Sequence, residues 1–301
     1  MSLLRPRCAL AFAASLLMPL CTMADETAPA AQAFVVPNSQ VVTLHSQQDG
    51  EDYVLYVSLP RDYGKDPKHL YPVIYTLDAD YSFALAANTT THFTDRGNLP
   101  PVIVVSIGYP GGITSIDSYH MNRTRDYTPT HTLEGGYGPE FQKVSGGGPK
   151  FRDFVTQELI PYIGSHYQAD PKDRTLVGHS YGGLFTTYML LTRPEAFHRY
   201  IIVSASLWYD QGMIYGLEKQ MAKGRKDLDA KVFFAVGAYE NQSEYPMADE
   251  MHEMAEVLRA HHYPHLEVVD TVFEKETHNS VFPGALSRGI REDFSEYPGM
   301  R

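Results

Sequence analysis

The stretch RTLVGHSYGGLFTTYMLLT, residues 174–192, decides the fold of this chain. It joins a short run of β-forming residues to the pattern Gly178-x-Ser180-x-Gly182 and then to an apolar run without a helix breaker before Pro194. A serine on a sharp strand-to-helix turn exposes its hydroxyl above a sheet, and the crowded turn requires small residues two positions to either side. The stretch therefore predicts a strand, a nucleophile elbow and a helix, with Ser180 as the covalent nucleophile.

Strand and helix patterns alternate on both sides of this elbow. Two β-type runs, at 40–45 and 52–59, flank a polar turn and predict an antiparallel pair at the start of a sheet. The later apolar strands alternate with helical patterns, which is typical of an α/β fold with a mostly parallel sheet and helices on both faces. We expect further strands at 73–77, 102–107, 175–178, 201–204, 232–236 and 266–273, and helices from 81, at 149–166, after Ser180, near 213–222, at 248–261 and after 279.

The segment 109–148 has no periodic pattern and is rich in glycine, threonine, tyrosine and charged residues. It leaves the C-terminal end of a central strand, which is where open α/β sheets bind their ligands. Long irregular segments in compact domains are commonly functional loops. We therefore expect this segment to form an irregular pocket wall.

The first 24 residues have the layout of a cleavable secretory signal peptide. Arg5 and Arg7 precede an apolar run at 8–20, and cleavage is expected after Ala24. The apolar run is too short to span a bilayer, and no later segment offers about 18 consecutive apolar residues. We therefore expect an exported protein that does not insert into a membrane.

The cysteines and the charge limit the remaining functions. Both cysteines, Cys8 and Cys21, precede the expected cleavage site, so the mature chain 25–301 would form no disulfide and would depend on one large core. We expect a single domain over 25–301 in a bacterial periplasm. The formal net charge is −11, and the sequence has no cluster of lysines and arginines, which argues against nucleic acid as a partner.

A serine hydroxyl becomes a good nucleophile only beside a base that is oriented by an anion. With this kind of elbow the expected chain order is serine, acid, histidine. His278 follows the last predicted strand and precedes a helix, which makes it the predicted base. Glu240 follows the predicted strand 232–236 and is the predicted acid. Four other carboxylates that follow the serine remain alternatives: Glu244, Asp270, Glu274 and Glu276.

Catalysis also needs two backbone N–H groups aimed at the oxyanion of the tetrahedral intermediate. We expect these donors to be the amides of Tyr181 and Asp80. The Asp80 carboxylate should point away, because an anion beside the oxyanion would oppose catalysis. Asp78 is a candidate to brace the same loop.

The other histidines favour structural interpretations. His179, adjacent to Ser180, is expected to point elsewhere on the elbow. His261, His262 and His265 lack supporting carboxylates at metal-binding spacing and are interpreted as a polar helix end. We expect no metal and no cofactor.

At this point the chain resembles the putative-esterase branch of the α/β-hydrolases, and within it the exported bacterial enterobactin esterases. The resemblance covers nearly all of the mature chain. It is carried by GHSYGG at 178–183, LDAD at 77–80, RTRDYTPT at 123–130, SASLWY at 204–209 and THN at 277–279.

The resemblance implies a cyclic trilactone of catechol-acylated serine as substrate, with or without iron. Because a ferric tris-catecholate is strongly anionic, Arg123 and Arg125 are candidates for a local cationic patch, and Trp208 is a candidate to stack on a catechol. An Arg125–Asp126 ion pair and a core tryptophan are the alternatives. A general carboxylesterase for feruloyl, acetyl or thioester substrates and a catalytically silent siderophore-binding protein are the rival functions. No protein partner is indicated.

Overall fold

The structure is a computed structural model that describes residues 31–242 and 244–297. Contacts divide the chain into two units, Met1–Phe34 and Val35–Arg301, and the description below concerns the second. The expected signal peptide, with Cys8 and Cys21, lies outside the described residues. Within the described residues, no helix combines the length and the apolar composition needed to cross a bilayer.

An eight-stranded sheet forms the centre of this unit. Its order is β1-β2-β4-β3-β5-β6-β7-β8. β2 runs antiparallel to β1 and β4, whereas the pairs from β4 to β8 are parallel. The expected α/β sheet with an antiparallel start is therefore confirmed. The strands are β1 Ser39–His45, β2 Asp52–Ser58, β3 Tyr71–Thr76, β4 Ile103–Gly108, β5 Ala169–His179, β6 Arg199–Val203, β7 Ala230–Gly237 and β8 Leu266–Phe273.

Helices cover both faces of this sheet. The described residues form two buried hydrophobic clusters, and successive residues of β3 belong to different ones: Ile74 to one and Tyr75 to the other. This is expected when helices cover both faces of a strand. The predicted helix at 149–166 is interrupted by a π turn at Val155–Leu159. The α-helices are α1 Ala79–Thr94, α2 Ile116–Tyr127, α3 Pro139–Gln142, α4 Gly148–Phe154, α5 Ile160–His166, α6 Tyr181–Thr192, α7 Tyr209–Ala222, α8 Met247–Ala260 and α9 Val281–Asp293.

The segment 109–148 is more regular than its sequence predicts. It contains the twelve-residue α2 and the short α3. The side chain of Ser115 accepts a hydrogen bond from the Ser118 amide, and the Ser118 side chain accepts one from the Ser115 amide, which caps α2. The expectation of an irregular segment was wrong because α2 buries polar side chains, among them Arg123 and Asp126, instead of an apolar stripe.

The elbow between β5 and α6 places Ser180 above the sheet. Ser180 has φ +60° and ψ −119°, a conformation that a non-glycine residue rarely adopts. Its amide donates to the Val203 carbonyl at 3.0 Å, and its carbonyl accepts from the Ser206 amide at 3.2 Å, so the elbow is tied to β6 and to the loop after it. A Cβ at Gly178 would lie 2.1 Å from the Gly182 carbonyl oxygen. Gly178 therefore permits the close approach of strand and helix.

We expect Gly178→Ala to destabilise the protein by more than about 2 kcal/mol, because its methyl group would overlap backbone atoms that cannot move without opening the elbow. Urea unfolding gives the free energy directly. The matched control is Gly164→Ala in α5, where an added Cβ meets nothing within 4 Å. Equal stabilities of the two variants would contradict this account of the elbow.

Candidate active site

The three predicted triad residues converge at the C-terminal ends of the parallel strands. Ser180 follows β5, Glu240 lies in a 3₁₀ turn at Ala238–Gln242 after β7, and His278 lies between β8 and α9. Ser180, Glu240 and His278 all line one cavity. This end of the sheet is where loops from parallel strands meet, so the crossover topology brings together residues far apart in sequence.

The histidine is held by the acid. His278 Nδ1 lies 2.7 Å from Glu240 Oε2, a hydrogen-bond distance at which Nδ1–H donates to the carboxylate. Glu240 Oε1 accepts from the Ser204 hydroxyl and from the Gly237 amide, each at 2.7 Å. The Glu240 residue is only 4 % exposed, so these donors compensate for the removal of its carboxylate from water. Because Nδ1 binds Glu240, Nε2 is the ring nitrogen of His278 that does not contact the acid.

Two of the alternative carboxylates are engaged elsewhere. Asp270 pairs with His252 at 2.5 Å and with Arg259. Glu276 accepts a hydrogen bond from the Ser280 hydroxyl. Sequence order alone left these carboxylates as alternatives to Glu240. In the structure, Glu240 is the one that contacts His278.

His179 does not point away from the site, and that expectation was wrong. Its Nε2 lies 2.9 Å from the His278 carbonyl oxygen, and the two rings are 4.6 Å apart. Burial lowers the pKa of His179 well below its ordinary value, and the neighbouring His278 and Arg123 lower it further. A neutral His179 therefore donates Nε2–H to the backbone of His278. This hydrogen bond joins the loop between β8 and α9, which contains His278, to the elbow, although the two residues are 99 positions apart in the sequence.

The two predicted oxyanion donors lie in the first turns of helices. Tyr181 is the first residue of α6, and Asp80 is the second residue of α1. Amides in the first turn of a helix have no intrahelical acceptor and carry the positive end of the helix dipole. The Asp80 carboxylate accepts from the Ile113 amide at 3.3 Å. A Cβ placed on Gly182 would be 3.4 Å from Asp78 and from Leu77, so the loop before α1 packs against the start of α6.

Two cavities in the described part of the chain include both Ser180 and His278. The Trp208 cavity, of about 410 Å³, is named for the aromatic ring that stacks on Tyr245 with centroids 4.0 Å apart. The Arg123 cavity, of about 550 Å³, is lined by the polar helix α2 and by α9. Tyr137 lines both cavities. The segment 109–148 thus supplies a wall of the site.

Both arginines that we predicted to contact substrate have carboxylate partners within the protein. Arg125 pairs with Asp126 at 2.7 Å, the alternative that the sequence left open, and with Glu51 at 3.1 Å. Arg123 pairs with Asp78 at 2.8 Å and is 2 % exposed. Substrate binding by these arginines stays a prediction, and the contacts present are internal. The described residues contain no group of three or more His, Cys, Asp or Glu side chains arranged to hold a metal ion.

Comparisons with known proteins agree with this architecture. A family model described as "Putative esterase" matches residues 46–280. The "Ferri-bacillibactin esterase BesA" of Bacillus subtilis is 30 % identical over 86 % of this chain and 90 % of its own length. The "Siderophore triacetylfusarinine C esterase" of Aspergillus fumigatus is 28 % identical over 87 % of this chain and 95 % of its own. The crystal structure of the BES protein from Bacillus cereus superposes with a TM-score of 0.74 at 29 % identity, over 87 % of this chain and 97 % of that one. The expected ester-hydrolase class is confirmed.

Glu250, on α8, is the half-buried acid of the Trp208 region that lacks a full set of partners. Its Oε2 is buried without a hydrogen-bond partner among the described residues. Burial raises the pKa of Glu250 from 4.5 to about 7, against the opposing effect of the Trp208 amide. Because the folded protein keeps this proton to a higher pH than the unfolded chain, the stability that Glu250 contributes falls as the pH rises from 4.5 to about 7.

We expect Glu250→Gln to stabilise the protein at pH 8.5 by about 1–2 kcal/mol, a value reduced for solvent screening of a half-buried group, and by much less at pH 5. Urea unfolding at the two pH values measures the difference. Glu274→Gln, at an exposed position, is the control and should change stability equally at both pH values. A Glu250→Gln effect independent of pH would show that the carboxyl titrates normally.

Proposed function

This chain belongs to the putative esterase family, and from that premise we propose that it is a periplasmic serine esterase that hydrolyses the trilactone backbone esters of a catecholate siderophore such as enterobactin. The substrate carries iron or is iron-free, and ester cleavage loosens the hold on the metal. The observation that carries the proposal is the 2.7 Å contact between His278 Nδ1 and Glu240 Oε2 in a cavity that Ser180 also lines.

Each triad residue has a role in the proposed reaction. Ser180 Oγ attacks the ester carbonyl carbon, while His278 Nε2 takes the hydroxyl proton. Collapse of the tetrahedral intermediate breaks the ester bond, and His278 returns the proton to the leaving alcohol. His278 then takes a proton from water as the water attacks the acyl-enzyme, and it returns this proton to Ser180 Oγ as the acyl–oxygen bond breaks and the carboxylic acid product leaves. Glu240 fixes the orientation of the ring and stabilises the imidazolium that forms in each half-reaction.

The oxyanion would lie between two helix N-termini. The amides of Tyr181 and Asp80 are proposed as its donors. Fixed backbone dipoles need no reorganisation when charge develops, which is the main advantage of such a hole over water. The packing of Gly182 against Asp78 supports this pairing, since it brings the starts of α6 and α1 side by side.

The choice of a siderophore is supported by the relatives and by the shape of the site. The relatives described above are named as a ferri-bacillibactin esterase and as a siderophore triacetylfusarinine C esterase, so both names give an esterase but with different substrates. Ser180 and Tyr137 line both cavities, and the exposed side chains of Tyr81, Ile116 and Tyr239 also line one or the other. Such exposed apolar side chains suit a bulky ligand with aromatic arms. Trp208 is proposed to contact one catechol.

Export is supported by the leader pattern. The charged and apolar layout of residues 1–24 is typical of a signal peptide, and both cysteines lie within it. We include the periplasm in the proposal on this basis, with residues 25–301 as a single α/β-hydrolase domain.

The function is tested by incubating the protein with enterobactin, in ferric and iron-free forms, and identifying products by mass spectrometry. We expect linear trimers or shorter fragments from the wild type. Ser180→Ala should abolish product formation while binding, followed by Trp208 fluorescence, stays nearly unchanged. A fluorophosphonate probe should label the wild type and the cavity-lining control Ser206→Ala, but neither Ser180→Ala nor His278→Ala.

The rival functions predict different results. Faster turnover of p-nitrophenyl butyrate or a feruloyl ester than of either trilactone form would indicate a general carboxylesterase. Catechol binding without turnover or labelling in a folded sample would indicate a silent binding protein. Preferential cleavage of triacetylfusarinine C would keep the siderophore class and overturn the catecholate assignment.

We expect Glu240→Gln to lower kcat on the order of 10³-fold with little change in KM, because the amide would leave His278 without its orienting anion. Steady-state kinetics on the substrate accepted by the wild type give both constants. The matched control is Glu276→Gln, which removes a carboxylate two residues from His278 but not its partner. Equal losses in the two variants would remove Glu240 from the mechanism.

A further inference from the structure

Arg123 is a buried charge that the proposed mechanism does not use. It is among the largest fully buried side chains of the described residues, although it carries a guanidinium. Removing such a group from water is costly unless its hydrogen bonds are satisfied by the protein. Its contacts therefore indicate what the protein gains from placing it there.

Arg123 joins three segments that meet at the candidate active site. Its Nε and Nη2 donate to the two carboxylate oxygens of Asp78 at 2.8 and 3.3 Å. Nη2 also donates to the His179 carbonyl at 3.0 Å, and Nη1 donates to the Tyr137 hydroxyl. A guanidinium has five N–H donors in a rigid plane, and the Arg123 guanidinium makes four hydrogen bonds to protein atoms. Little donor capacity is left for a substrate.

Two of the joined segments contain residues in strained backbone conformations. Asp78 has φ +56° and precedes α1, and Ser180 has φ +60° and precedes α6. Such conformations persist only where the surrounding contacts over-determine them. Arg123 holds the Asp78 side chain and the carbonyl of the residue before Ser180 at the same time, so it fixes one strained turn relative to the other.

We propose that Arg123 is a positioning residue, which braces the loop before α1 against the elbow and so fixes the spacing of the two halves of the oxyanion hole. This inference rests on the proposed esterase function. The proposed role differs from the substrate contact that the sequence predicts for Arg123. A positioning residue does not touch the substrate and affects the transition state only by holding the backbone donors in place. Misplacement of such donors by about 1 Å can cost on the order of 10²-fold in rate.

The test compares Arg123→Lys with Arg199→Lys. Lysine keeps the charge but cannot reach carboxylate, carbonyl and hydroxyl with one planar group. Arg199 is a matched control, because it is also buried and donates to a carboxylate, Glu296, and to a carbonyl, that of Asp293, each at 2.7 Å. It lies at the opposite, N-terminal end of β6.

We expect Arg123→Lys to lower kcat on the order of 10²-fold at unchanged KM, and the rate of fluorophosphonate labelling of Ser180 to fall by a similar factor. Arg199→Lys should lower stability while leaving both rates close to those of the wild type. The labelling rate can be read whichever ester is the substrate, so the inference stays testable if the siderophore assignment fails.

A second variant keeps the test valid if Arg123→Lys does not fold. Arg123→Met combined with Asp78→Asn removes both charges and so avoids an unpaired buried ion. This double variant should fold and show the same loss of kcat. Its KM and its affinity for the substrate should stay near those of the wild type. A raised KM with normal kcat would return Arg123 to substrate binding, and normal labelling and turnover would overturn the brace.

Discussion

The close approach of Gly178 to Gly182 is the constraint on which the rest of the site depends. With no side chain at position 178, β5 can turn directly into α6, and the turn forces Ser180 into its unusual backbone conformation. The strain is held by backbone hydrogen bonds to Val203 and Ser206. The serine is thereby presented at the end of the sheet where α6 also offers its unpaired amides.

A second requirement is that charges near the elbow be neutralised locally. Glu240 is compensated by Ser204, by the Gly237 amide and by His278. On the other side of Ser180, Asp78 is compensated by Arg123. Because Glu240 and Asp78 both have donors, neither is an unpaired anion beside the place where negative charge would develop.

His179 connects these two requirements. It belongs to the elbow, yet its ring donates to the backbone of His278. Burial lowers its pKa well below the ordinary value, so it stays an uncharged donor. The elbow, the loop that contains His278 and the 3₁₀ turn that contains Glu240 are therefore joined by hydrogen bonds. Tyr137 lines both of the cavities at this site. Ser180 and His278 line both cavities, so each cavity opens onto the candidate catalytic pair.

The sequence by itself determined the strands, the elbow and the chain order of the candidate triad residues, because these depend on local propensity and on position along the chain. Strand β8 has the bounds that its residues predict, and Ser180, Glu240 and His278 were identified from their positions after strands. Helix α2 was missed because its buried face is polar, so no apolar periodicity marks it. The partners of Arg123 and the contact of His179 with His278 were decided by tertiary structure alone, and the contact of His278 with Glu240 distinguishes this predicted acid from the alternative Asp270. Each joins segments tens of residues apart, and only the packing of crossover loops at one edge of the sheet determines which side chains meet.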